Sequence, residues 1–115
     1  MRVLVLGYGS IGQRHAAVMR MLGHEVLVHD VALIMSHIQA PLVFAQSLQA
    51  GLDLLPDAVV IATPASVHAT LYWEAVTNGS HVFIEKPLAL SCGEFKKAMP
   101  IWSRVDAGVI GSRVV

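Results

Sequence analysis

A glycine-rich turn, the acid that follows it and a lysine beside a proline are the residues of this chain best suited to chemistry. Gly7-Tyr8-Gly9-Ser10-Ile11-Gly12 has the spacing G-x-G-x-x-G. In such a turn the first glycine permits the tight bend, the second lets backbone approach a pyrophosphate, and the third lets the helix pack on its sheet. The backbone of Tyr8, Ser10 and Ile11 belongs to the same cradle, where free N–H groups and the helix dipole favour an anion. Asp30 ends the next apolar run, at about the 20-residue distance of a ribose-binding carboxylate. It can accept from both adenosine ribose hydroxyls. A 2′-phosphate would meet it as a like charge: at an effective dielectric of about 20, unit charges ~4 Å apart cost on the order of 4 kcal/mol. Val31, Ala32 and Leu33 follow, with no arginine to receive that phosphate. The pattern favours NAD and leaves NADP as the second candidate. The plain alternative for Asp30 is an aspartate that merely terminates a strand.

Two later segments could face the same ligand. In IATPASVHA, residues Ala62, Thr63 and Pro64 fall at the C-terminal end of an apolar run, the edge where open α/β sheets bind ligands. His68 opens the helical pattern that follows, and its spacing alone suits a half-buried helix histidine. In HVFIEKPLA, Lys86 stands at the end of another apolar run, between Glu85 and Pro87. Beside a nicotinamide, a lysine can polarise a substrate hydroxyl or carbonyl as hydride leaves or arrives. Otherwise it is an exposed surface lysine. A cis bond before Pro87 would fix its direction.

The elements that must position these residues alternate regularly. Strands are expected at Val3–Leu6, Glu25–Asp30, Leu42–Ala45, Ala58–Ala62 and His81–Ile84. Helices are expected at Ile11–Leu22, Val31–Gln39, from the Ser47 cap to about Leu55, and at Ser66–Asn78. Gly23 and Gly79 close two of these helices, and Pro41 stops the weak one. Short strands separated by helices predict βαβ units and a doubly wound parallel sheet in a three-layer αβα sandwich. Ser91 and Glu94 have capping-box spacing for a last helix, which Pro100 should kink or end. Gly108-Val109-Ile110 could begin a sixth strand.

With 115 residues the chain has the length of one domain. Eight basic and eight acidic residues give a formal net charge of zero, without the basic run expected of a nucleic-acid partner. The apolar fraction is 55%, yet no run reaches the ~18–20 residues of a membrane span. Strands buried on both faces account for the excess. Nothing at the N-terminus resembles a signal peptide, so a cytoplasmic location is expected. The single cysteine, Cys92, has no metal-ligand spacing and reads as a buried or half-buried thiol. Asn78-Gly79-Ser80 reads as a helix-ending turn rather than a glycosylation site. No metal site is expected, and His15, His24, His29, His37 and His81 are assigned no chemistry.

GYGSIGQRH, PDAVVIATPASVH and GSHVFIEKPLAL, in this order and spacing, resemble the Gfo/Idh/MocA oxidoreductases. The resemblance covers about residues 1–90, and the tail at 91–115 diverges. It implies an NAD(P)-binding Rossmann domain over 1–115, with Lys86 as catalytic lysine near the reactive carbon of the nicotinamide. It further implies that Thr63, Pro64 and His68 lie along the cofactor and that Glu85 and Pro87 support Lys86 there. Members of that family carry a second domain that holds the substrate and often mediates oligomerisation; it is expected to be absent here. The expected function is hydride transfer between nicotinamide and a sugar, polyol or related hydroxy compound. The substrate site would then come from a second domain or chain, and a homo-oligomer stays open. The alternative is a non-catalytic NAD-binding module, subunit or remnant.

Overall fold

The computed structural model describes residues 1–33 and 37–99. Five parallel strands form one sheet: β1 (Arg2–Leu6), β2 (Glu25–His29), β3 (Val43–Phe44), β4 (Ala58–Ile61) and β5 (His81–Ile84), in the order β3-β2-β1-β4-β5. Among the described residues, four α-helices connect or follow them: α1 (Ser10–Met21), α2 (Leu48–Asp53), α3 (His68–Thr77) and α4 (Cys92–Ala98). The order reverses at β1, so β2 pairs with one side of that strand and β4 with the other, Leu4 facing both Leu27 and Val59.

The period-two geometry of a strand sends alternate side chains to opposite faces. Val3 and Val5 therefore pack with Val26, Val28, Val60 and the α1 residue Ala16. Leu4 and Leu6 pack on the other face with Leu27, Val59, Ile61, Leu52 of α2 and Trp73 of α3. Both faces are covered, giving the three-layer α/β domain that the unbroken apolar strands predict. The α4 helix is anchored mainly through Phe95, whose ring lies 5.1 Å from Tyr72 and 5.0 Å from Trp73. Trp73 Nε1–H also donates to the Phe95 carbonyl oxygen at 3.0 Å.

Local signals act where the sequence places them. Ser47 Oγ accepts from the Ala50 N–H and Ser91 Oγ from the Glu94 N–H, so both side-chain caps form. Gly79 takes φ +90 after α3. Ser80 is buried and its hydroxyl donates to the Pro56 carbonyl oxygen, consistent with a structural turn. The Ala40–Pro41 and Lys86–Pro87 bonds are cis.

Three expectations are corrected. Among the described residues of 31–39 there is no α-helix, and 34–36 lie outside the description. Asp30 instead organises a turn: its Oδ1 accepts from the Ala32 N–H and its carbonyl oxygen from the Leu33 N–H. Local side-chain bonding of this kind competes with helix formation. The helix expected from Ser66 begins with a 3-10 turn at Ala65–Val67 and is α-helical only from His68. Cys92 is exposed rather than buried, because α4 turns Phe95, not its first residue, toward the core. Pro100 and the strand suggested at 108–110 lie outside the described residues.

Candidate dinucleotide-binding site

The C-terminal edge of the sheet opens into a cleft of about 800 Å³, at the point where the strand order reverses. Open α/β sheets bind ligands at such a switch point because the loops after neighbouring strands diverge there. Gly7 leaves β1 with φ +89, a region closed to most side chains. A Cβ on it would lie 2.7 Å from the Ala62 carbonyl oxygen. A Cβ on Gly12 would collide with the Gly7 carbonyl, so α1 can pass this close to the turn only with glycine there.

Gly9 differs from both. Its φ of −72 is open to any residue, and a Cβ on it would meet no protein atom within 4 Å. Gly9 lines the cleft, and nothing in the protein itself requires a glycine there. The helix that follows has no side-chain cap and no acid in its first turn. Its first N–H groups lack intrahelical partners, which leaves them to an anion. Thr63 Oγ1, at the cleft wall, is buried without a hydrogen-bond partner. An unsatisfied buried hydroxyl is costly unless a ligand completes it. The chain's residues thus fit a dinucleotide.

Asp30 stands just beyond β2 and lines the same cleft. Its Oδ2 accepts from the Tyr8 N–H at 2.7 Å and its Oδ1 from the Ala32 N–H at 2.8 Å. Two backbone bonds hold the carboxylate in place, and each oxygen keeps a lone pair for a ribose hydroxyl. Tyr8 therefore contributes by orienting the acid, with Gln13 Nε2–H donating to its carbonyl oxygen.

Gly7, Gly9, Asp30, Ala62, Thr63 and Pro64 line the cleft together. Gly12, Ser10 and Ile11 form the α1 start beside it. His68 is not in the lining: it is buried, with both ring nitrogens turned to main-chain carbonyls. Lys86 and Pro87 are exposed just past the C-terminal end of β5, beyond the cleft wall. Glu85 is bound to His15 of α1, with 2.6 Å between Nε2 and Oε1. Sequence reading missed that partner, as it missed the apolar wall made by Leu48, Val67 and Leu71. Those three sit at or near helix starts facing the sheet edge, a position that a search for polar residues passes over.

Among the described residues no group of three or more histidine, cysteine or acidic side chains could hold a metal. No helix there is long and apolar enough to cross a membrane.

Residues 1–109 match the Gfo/Idh/MocA family, described as an oxidoreductase family with an NAD-binding Rossmann fold. The chain is 50% identical over 42 residues to a scyllo-inositol 2-dehydrogenase (NAD(+)) of Bacillus subtilis, covering 36% of this chain and 12% of that protein. It is 28% identical to the WlbA dehydrogenase of Bordetella pertussis, solved with NADH and UDP-GlcNAcA, at a TM-score of 0.76, covering 100% of this chain and 36% of that one. It is also 28% identical to the biliverdin reductase of Synechocystis sp. PCC 6803, solved with biliverdin and NADP+, at a TM-score of 0.78, covering 98% of this chain and 36% of that one. The chain spans 10% to 16% of the length of the curated relatives it matches.

Proposed function

The chain belongs to the Gfo/Idh/MocA oxidoreductases through its NAD-binding Rossmann domain, and from that premise we propose that it forms the cofactor half of a dehydrogenase or reductase acting on a sugar, polyol or related hydroxy compound. The observation that carries this reading is the cleft, where Gly9, the uncapped start of α1, Asp30 and Thr63 Oγ1 supply the groups a dinucleotide requires. The α1 N–H groups bind the pyrophosphate and Asp30 orients the adenosine ribose. Thr63 and Pro64 shape the path toward the nicotinamide end, where Ala62 and Gly7 keep the backbone close.

When bound, the nicotinamide supplies hydride transfer. Lys86 is the catalytic residue of this half: its ammonium group donates to the substrate oxygen and stabilises the charge that develops there. Glu85 and Pro87 hold its backbone on either side. The group that exchanges the substrate hydroxyl proton comes from protein outside this domain, which would also hold the substrate. Support comes from the inositol dehydrogenase and WlbA likenesses, whose own names point to polyol and nucleotide-sugar chemistry.

NAD is preferred over NADP because the fixed Asp30 carboxylate repels a 2′-phosphate. Calorimetric titration of the chain with each cofactor tests the reading. Binding of NAD in the micromolar to low-millimolar range, with NADP weaker, is the expected result. No heat with either cofactor would remove the cleft as a working site.

A further inference from the structure

His68 is among the largest fully buried side chains, with 1% of its surface exposed. A buried polar ring needs partners for both nitrogens, and here both partners are carbonyl oxygens. Nδ1 lies 2.7 Å from the Pro87 carbonyl oxygen, and Nε2 lies 2.7 Å from the Thr63 carbonyl oxygen. Carbonyl oxygens only accept. A neutral imidazole carries one N–H, so its other nitrogen would press a lone pair against an oxygen lone pair at that same short distance. Both bonds form together only when each ring nitrogen carries a proton.

The two carbonyls belong to different loops. Thr63 follows β4 and lines the cleft; Pro87 follows β5 and is bonded directly to Lys86. The ring is their bridge from beneath, at the first residue of α3. The ring is cut off from water, so the two carbonyl oxygens take the place of water as its hydrogen-bond partners. Neither ion pair among the described residues, Arg2–Glu25 or His15–Glu85, involves His68.

We propose that His68 is a positioning residue: doubly protonated, it clamps the Thr63 and Pro87 carbonyls together and so fixes where Lys86 stands relative to the cofactor cleft. The role of Lys86 in this statement rests on the function proposed above; the clamp itself does not.

The test has two parts. In the first, long-range proton–nitrogen correlation spectra of the full chain, with labelled histidine and at neutral pH, read each ring nitrogen of His68 directly. Both should show the protonated signature, with ring N–H protons slow to exchange. An unprotonated signature on either nitrogen overturns the proposal. In the second, His68→Asn keeps a donor near the Nδ1 position and loses the Nε2 bond. The amide signals of Thr63 and Lys86 should shift or split in this variant, with NAD affinity held within about tenfold. Superimposable Lys86 and Thr63 signals would overturn the positioning role. A variant that fails to fold leaves the ring spectrum of the unaltered chain to decide. If NAD binds neither chain, the cofactor reading fails while the ring spectrum still settles the clamp.

Discussion

His15 on α1 and Glu85, just past the end of β5, meet with 2.6 Å between Nε2 and Oε1, although 70 positions separate them in the chain. The helix that begins at the glycine turn is thereby tied to the residue before Lys86. The His15 ring also lies edge-on to Phe83, with centroids 5.1 Å apart, so the contact is packed as well as polar. Both side chains are about a quarter exposed or less, which keeps water from screening the bond fully.

His15→Ala and Glu85→Gln should each lower stability by about 0.5–1.5 kcal/mol. The double variant should lose less than the two losses added together, since one bond cannot be broken twice. Urea unfolding of the four chains checks this. Strictly additive losses would show that the pair contributes nothing to stability.

Gly12 and Gly9 should separate folding from binding. A Cβ on Gly12 collides with the Gly7 carbonyl, so Gly12→Ala should destabilise by about 1–3 kcal/mol or more. Gly9→Ala meets open space at an ordinary φ, and its stability should stay within about 0.5 kcal/mol of the parent. It should nevertheless lose NAD affinity, because its methyl occupies pyrophosphate space. Thermal unfolding and calorimetric titration together read both effects. A Gly9→Ala chain that binds NAD normally would move the pyrophosphate elsewhere.

Asp30→Ala should narrow the preference for NAD over NADP by about tenfold or more, given a like-charge repulsion on the order of 4 kcal/mol that solvent only partly screens. The variant should also weaken NAD itself, since the carboxylate held by Tyr8 and Ala32 is gone. Parallel titrations with both cofactors measure the ratio. An unchanged ratio would take Asp30 out of the ribose site.

Lys86→Ala should leave stability within about 0.5 kcal/mol, because the residue is exposed. NAD affinity should stay within about threefold, less than 1 kcal/mol. Turnover in an assembled enzyme should fall by about 10²–10⁴. Large loss of NAD binding would make Lys86 a binding residue instead.

The sheet was legible because its strands are buried on both faces. Runs such as Val3–Leu6 and Ala58–Ile61 contain no polar residue, and β5 falls on the four residues expected. Helix ends were legible where a side chain or a glycine carries the signal, as at Ser47, Ser91 and Gly79. After Asp30 the sequence predicts a weak helix, and the described residues of 31–39 form no α-helix. The deciding fact was the Asp30 side chain, which serves a turn through Ala32 and reaches back to Tyr8. In the site, polar residues at strand ends were visible from type and position. The His15–Glu85 bond, the two carbonyls around His68 and the Leu48–Leu71 wall join segments far apart in sequence, and local spacing holds no record of them.

The reversal of strand order at β1 makes its second edge depend on a strand far along the chain. The Arg2 N–H donates to Asp57, 55 positions later, and β1 gains its second neighbour only when β4 arrives. At synthesis rates of ~5–20 residues per second, the bare edge of the first strand waits about 3–11 s for its partner. For that interval one edge of β1 is an open template for pairing with other chains. One edge of β1 is therefore protected only by a segment made well after it.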